Sequence, residues 1–282
     1  MPKQTRTLCR FLIPWFGPWP IYFPAFLVTC APNTRFEWLI LSETPPPPAH
    51  PPNVQFVPLS LEDFHHRART RCGFDPRIPP DYTYKICDYR WCYGQIFADL
   101  LRDVPYWGIC DLDQLWGNIL GHLTEDLFRT YHILPTRQRR FSGHCTIFRN
   151  CPLVNTYYRR ITGFEEVLRE KREYLCFDEG YTTRHFKALL KQKPKKWWQR
   201  VLAPRHPRIY WEKLLVNYGD DHLAMRDDQY IEWRDGRTYT AEGQELMYLH
   251  FHRLKATIRS CNFTYGDNLR RIRLSRYEIL GD

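Results

Sequence analysis

The chain is predicted to fold as an α/β protein, with a mostly parallel sheet flanked by helices and a C-terminal hairpin and closing strand. Three observations predict it. Strand-length apolar runs alternate with helical segments from residue 10 onward, the pattern that builds parallel sheets. The length of 282 residues, with 43% hydrophobic and 26% charged residues, suits one substantial core and is short for two full domains. Finally, the apolar run Tyr106 to Cys110 stops abruptly at Asp111-Leu112-Asp113, placing two carboxylates where a buried strand ends.

The elements follow in order. Arg10 to Phe16 reads as a buried opening strand, and Gly17-Pro18-Trp19-Pro20 turns the chain into an apolar helix from Ile21 to Cys30, with Pro tolerated in the first turn. Phe36 to Leu41 is a second strand, the proline cluster Pro45 to Pro52 an extended loop, and Val54 to Leu59 a third strand. Ser60 with Asp63 three residues on forms a near capping box for the next helix. Ile86, Tyr89, Tyr93, Ile96, Phe97 and Leu100 repeat at three- and four-residue spacing, which predicts a long helix over Tyr84 to Arg102. Thr124 is placed to cap a further helix, Gly143 to Arg149 reads as a strand and Leu153 to Glu173 as mainly helix. Asp235-Gly236 sets a hairpin in Ile231 to Thr240, and Glu245 to Phe251 makes the closing strand. No repeat or domain boundary is visible, so residues 1–282 read as one domain, with 187–208 a candidate insertion.

Composition narrows the function classes. The formal net charge is +10, from 41 Lys and Arg against 31 Asp and Glu, which favours anionic partners. Aromatics reach 16%, including ten Trp and eighteen Tyr, and serve cores and binding clefts alike. Ten Cys lie mostly within apolar runs without a Cys-x-x-Cys pair, which argues against a zinc ribbon. The apolar stretch Phe11 to Val28 is interrupted by four prolines and Gly17 and makes a poor membrane span. Free thiols and the lack of a secretory signal predict a cytoplasmic location.

Alternate residues at a strand's end share a face, so Asp111 and Asp113 can converge on one point while Leu112 turns into the core. Two adjacent carboxylates repel unless a cation sits between them, and a hard divalent ion with positions left for phosphate oxygens suits the pair. In Tyr248-Leu249-His250-Phe251-His252-Arg253-Leu254-Lys255 the two histidines share a face by the same alternation. An imidazole there can complete the coordination sphere, and the Lys255 ammonium can neutralise diphosphate charge. Taken singly, Asp-x-Asp and either His fit a solvated strand end equally well; the combination points to a site handling a nucleoside diphosphate.

Tyr84-Lys85-Ile86-Cys87-Asp88-Tyr89-Arg90, Tyr93-Gly94-x-Ile96-Phe97, Tyr106-Trp107-Gly108 to Asp113, and Phe251-x-Arg253-x-Lys255 resemble an uncharacterised bacterial family of glycosyltransferase-like proteins with the GT-A (Rossmann-like) fold, thought to act in polysaccharide biosynthesis. The resemblance spans most of the chain and is weakest over 187–225. It implies a nucleotide-sugar donor, a divalent cation (Mn2+ or Mg2+), and a glycan or lipid-linked glycan acceptor. By it, Asp111 touches the nucleotide side, while Asp111, Asp113 and His250 surround the metal. Many GT-A enzymes carry a Gly between the late His and Lys; here Arg253 stands nearby, and His250 is preferred to His252. Lys85, Asp88 and Arg90 fall where such enzymes bind the donor, with an i,i+3 surface ion pair between Lys85 and Asp88 as the plain alternative. Gly143 and His144 fall on the acceptor side of the sugar, unless His144 is simply packed. Asp178 and Glu179 are the candidate catalytic carboxylates, since an inverting transfer needs a base for the acceptor hydroxyl.

The basic and aromatic run from Lys187 to Arg208, with Trp197 and Trp198, suits peripheral contact with an anionic membrane, or a solvated loop whose Trp pair packs back onto the domain. Two other classes compete. A basic nucleic-acid-binding protein lacks a recognisable motif and is not expected. A nucleotidyl- or phosphotransferase would use the same Asp pair, without a Gly-rich phosphate loop to support it.

Overall fold

In a computed structural model, residues 6–191, 205–211, 229–267 and 269–282 are described. The core is a six-stranded sheet in the order β3-β2-β1-β4-β7-β6. Its strands are β1 (Cys9–Pro14), β2 (Phe36–Ser42), β3 (Val54–Pro58), β4 (Tyr106–Cys110), β6 (Ile133–Pro135) and β7 (Cys145–Arg149). β1 to β4 pair in parallel, and β7 runs antiparallel to both β4 and β6. The fold is thus mixed α/β with a mostly parallel sheet, as the alternation of elements predicts.

Both faces of this sheet are covered, which is why its strands read as continuous apolar runs rather than alternating ones. Phe11, Ile13, Trp38 and Ile40 enter one core, while Leu12, Leu39, Leu41 and Ile109 enter the other. The first core takes helix α1 (Phe23–Cys30), with Pro24 in its opening turn. Helix α2 (Leu61–Cys72) starts at the expected place: the Ser60 hydroxyl accepts from Asp63 N, and the Asp63 carboxylate accepts from Ser60 N, a full capping box.

The expected long helix over 84–102 is broken. Pro80–Cys92 forms tight 3-10 turns, Tyr93–Ile96 one α-turn, and Phe97 leaves helical geometry before a last 3-10 turn at Ala98–Leu101. The cause is tertiary. Seven residues between Lys85 and Cys92 are buried, so the segment packs on several sides rather than on one helical face. A Cβ on Gly94 would lie 2.7 Å from the Trp107 ring and from the Asn155 side chain, so the chain passes β4 at a distance only glycine permits. The helix expected over 153–173 is likewise three short turns, Pro152–Asn155, Tyr157–Arg160 and Phe164–Arg169. Gly163, in the left-handed region, separates the last two.

After Asp113 the short strand β5 (Gln114–Trp116) forms, and Thr124 stands at the N-cap of a helix over Glu125–Thr130. The hairpin at Asp235-Gly236 is present as β8 (Ile231–Arg234) and β9 (Arg237–Tyr239), with both turn residues at positive φ. The closing strand divides at Met247. β10 (Glu245–Leu246) stays with β9, whereas β11 (Tyr248–His250) crosses to pair with β5. β12 (Ser260–Cys261), β13 (Arg271–Leu274) and β14 (Glu278–Gly281) complete a second six-stranded sheet, β10-β9-β8-β13-β14-β12, which the sequence did not predict. Its Ile231, Trp233 and Ile272 join Phe11 and Trp38 in one core.

Much of the candidate insertion and membrane-contact run, residues 192–204, lies outside the described residues. Of its flanks, Lys187 sits on a helix over Thr182–Lys191, and residues 205–211 run beside β6, where Arg208 O accepts from His132 N and Ile133 N. Among the described residues no helix is long and apolar enough to cross a membrane. All ten cysteines are free.

Candidate active site at the end of the parallel strands

A cavity of about 240 Å3 opens where β1 and β4 end, walled by Trp15, Phe16, Tyr22 and Tyr84, with Arg90, Asp111, Asp113 and Lys255 as its charged part and His252 beside them. β1 leads to β2 and β3 on one side, and β4 lies on the other. That reversal of strand order splays the loops apart and leaves a crevice at the carboxyl ends, where open α/β sheets bind ligands.

Two elements build the charged floor. β4 ends at Cys110, and Leu112 turns into the core, which leaves Asp111 and Asp113 on the cavity side. The β5–β11 ladder then sets Gln114 opposite His250, and Phe251 N donates to Asp113 O at 3.1 Å. This pairing, between residues 136 positions apart in register Gln114 to His250, brings the late histidines against the Asp pair. His250 Nε2 lies 3.4 Å from Asp113 Oδ1 and 3.7 Å from Asp111 Oδ2; His252 Nδ1 lies 3.9 Å and Lys255 Nζ 2.9 Å from Asp113 Oδ2.

Asp113, His250 and His252 each offer one ligand atom, all within 4.8 Å of one another. Burial by itself would raise the Asp113 carboxyl, but its neighbours His250 and Lys255 outweigh it and hold the acid below the usual carboxylate range. Burial, and then the Lys255 ammonium, depress the His252 imidazole. An ionised carboxylate and a neutral imidazole are the ligating forms. The donor set of two imidazoles and one carboxylate therefore fits a divalent cation. His252 belongs to this cluster beside His250, the histidine preferred on the resemblance.

Arg90 comes from the 3-10 segment over 80–92 and bridges two acids. Its guanidinium donates to Asp111 Oδ1 and, at 3.2 Å, to Asp178 Oδ2. Asp178 is 1% exposed and also accepts from Tyr174 Oη at 2.5 Å. Burial pushes its carboxyl up to about 7, against the pull of Arg90. Glu179 is more open: its Oε1 accepts from Gly143 N at 2.8 Å, and Arg137 and Arg140 lie 3.8 and 3.9 Å from Oε2. A Cβ on Gly143 would fall 2.2 Å from Asp178 Oδ2, so only glycine lets this backbone lie against the acid.

Lys85 and Asp88 are placed elsewhere. They form an ion pair at 2.8 Å with both side chains 0% exposed, off the cavity wall. Lys85 also donates to Glu173 O, and Asp88 accepts from Leu175 N and Phe177 N. Their i,i+3 spacing does make a pair, but one that is buried and pins the 173–177 segment rather than facing solvent or a donor. His144 is also committed within the protein. Its Nδ1 meets Tyr248 Oη at 2.8 Å, its ring stacks on His250, and burial keeps it well below the ordinary histidine range.

The aromatic walls were not singled out from the sequence; Tyr22 and Trp15 follow the opening strand closely, and the position of Tyr84 beside Lys85 was the available signal. The model of a family described as "Family of unknown function (DUF6625)" matches residues 11–277, and the chain belongs to that family. No curated protein matches. Among solved structures, galactosyltransferase LgtC in complex with donor and acceptor sugar analogues is similar at 11% identity and a TM-score of 0.34, over 68% of this chain and 81% of that one. A structure of an active-site mutant of LgtC is similar at 11% identity and a TM-score of 0.35, over 67% and 80%.

Proposed function

We propose that this chain, as a member of that family, is a metal-dependent GT-A-type glycosyltransferase, a single catalytic domain moving a sugar from a nucleotide donor to a bacterial surface glycan. The observation that carries the reading is the Asp113–His250–His252 cluster opening onto an aromatic-walled cavity at the strand-order reversal.

Each group then has a task. Trp15, Tyr22 and Tyr84 offer flat faces to a nucleobase or sugar ring. Asp113, His250 and His252 would hold the cation, which when bound supplies positive charge to the diphosphate oxygens. Lys255 and Arg90 add fixed positive charge on either side of the Asp pair, so that the diphosphate leaves into a site already oriented to receive it. Asp111, tied to Arg90, faces the donor as a carboxylate acceptor for a hydroxyl. Asp178 is buried and anchors Arg90; Glu179, partly open beside Gly143 and off the cavity lining, would take the proton of an acceptor hydroxyl approaching from that side.

The test is product analysis. The protein is incubated with Mn2+ and a panel of UDP- and GDP-sugars, with simple glycans as acceptors. Release of the nucleoside diphosphate, with the sugar on acceptor or water, is expected. Release of nucleoside monophosphate or pyrophosphate would replace sugar transfer by nucleotidyl chemistry.

A further inference from the structure

Behind the metal-ligand cluster, three elements of the fold meet in a buried polar column. Thr136 follows β6, His144 precedes β7 and Tyr248 opens β11. Thr136 and Tyr248 are 0% exposed and His144 is 8% exposed. The Tyr248 hydroxyl lies 2.6 Å from Thr136 Oγ1 and 2.8 Å from His144 Nδ1. Thr136 Oγ1 in turn reaches Cys145 O at 3.0 Å and Ser142 Oγ at 3.1 Å. The backbone of His144 is held as well, since Gln114 Nε2 donates to its carbonyl at 2.5 Å. Outward from this anchor, the His144 ring lies on the His250 ring with centroids 4.3 Å apart and planes within 19°, and His252 follows at 5.7 Å.

We infer that His144 is a positioning residue: held by the Thr136–Tyr248 hydroxyls, its ring face fixes the rotation of His250 and so aims Nε2 at the Asp pair. The inference rests on the proposed metal site. The physical need is plain. The outer torsion of a histidine is a broad, roughly two-fold well, so a ligand ring without support spreads its nitrogen over many directions. A flat neighbour at stacking distance removes that freedom before the cation arrives, as outer groups around metal ligands commonly do. A histidine suits this place because its Nδ1 takes a second hydrogen bond at the buried Tyr248 hydroxyl, beside that of Thr136, while its ring face lies against His250.

Mn2+ affinity, measured by calorimetry or by electron paramagnetic resonance of the free ion, tests this without any sugar chemistry. His144→Ala should weaken Mn2+ binding by roughly 10–100-fold, the usual effect of losing such support. His144→Phe restores a flat face and should bind within about threefold of wild type; thermal melting of the metal-free variants checks that each is folded. Tyr248→Phe, which frees the His144 ring from its anchor, should fall between them. Unchanged Mn2+ affinity in His144→Ala would overturn the inference while leaving the metal site intact, as would equal losses in the folded Ala and Phe variants. A wild-type protein that binds no Mn2+ would overturn the metal site itself, and this inference with it.

Discussion

An ammonium meets a carboxylate at nearly the same distance in two places, 2.8 Å at Lys85–Asp88 and 2.9 Å at Lys255–Asp113, yet the two pairs do opposite work. The first is closed. Neither side chain is exposed, and the oxygens of Asp88 are shared among Lys85, Leu175 N and Phe177 N. The second opens onto a cavity, with one partner 36% exposed and two imidazoles within reach of the same acid. Satisfied buried charge holds a fold in register, whereas charge gathered at a crevice stays available to a ligand. Residue type and ion-pair distance do not separate the two; the exposure of the lysine and the kind of neighbour, backbone donors around Asp88 and imidazoles around Asp113, do.

The largest expected effect lies at the closed pair. Asp88→Ala strands a buried ammonium and two backbone donors, so unfolding free energy should fall by about 3–5 kcal/mol, measured by urea denaturation. A loss under ~1 kcal/mol would erase the contrast. Asp178 sharpens it as an intermediate case, buried but only partly compensated. Its folded carboxyl keeps its proton up to about 7, while an unfolded aspartate releases it near pH ~4. The native state therefore binds more protons across that window, so this contribution is fully present below about pH 4 and is lost as pH rises through about 7. In Asp178→Asn the difference in stability between pH 4 and pH 8 should shift by losing that downward slope; an identical pH profile would show that Arg90 keeps Asp178 ionised throughout. The smallest effect on stability belongs to the open pair. Lys255→Met should destabilise less than Asp88→Ala, because Lys255 is 36% exposed and Asp113 keeps His250 and His252 within reach, yet weaken Mn2+-dependent UDP or GDP binding by about tenfold or more. A large loss of stability with unchanged nucleotide affinity would invert the assignment.

What the sequence revealed follows the reach of each signal. β1 to β4, the Ser60–Asp63 cap and the Asp235-Gly236 turn are legible because apolar runs, caps and turn chemistry act within a few residues. The Asp pair was legible because an apolar strand ending in two carboxylates is a local pattern, and Leu112 indeed turns inward. The broken segment over 80–101 was not, since three- and four-residue spacing marks one apolar face equally well in a helix and in tight turns buried on several sides. The burial of Lys85 and Asp88 was hidden for the same reason: i,i+3 spacing reads alike in solvent and in a core. β12 to β14 are two to four residues long and interleaved with charge, as in Arg271-Ile272-Arg273-Leu274, which leaves no run to detect. The late histidines were legible as partners of the Asp pair, but that His252 joins His250 in the cluster and that His144 stacks on His250 follow from long-range packing, the β5–β11 pairing among it, that no local pattern encodes.

The most direct test of the central claim is calorimetric titration of UDP and GDP, with and without Mn2+, into wild type and Asp113→Ala. Nucleotide binding is expected to appear only with Mn2+ and to disappear in the folded Asp113→Ala protein. Binding of the same strength without Mn2+ and without the Asp113 carboxylate would contradict that claim.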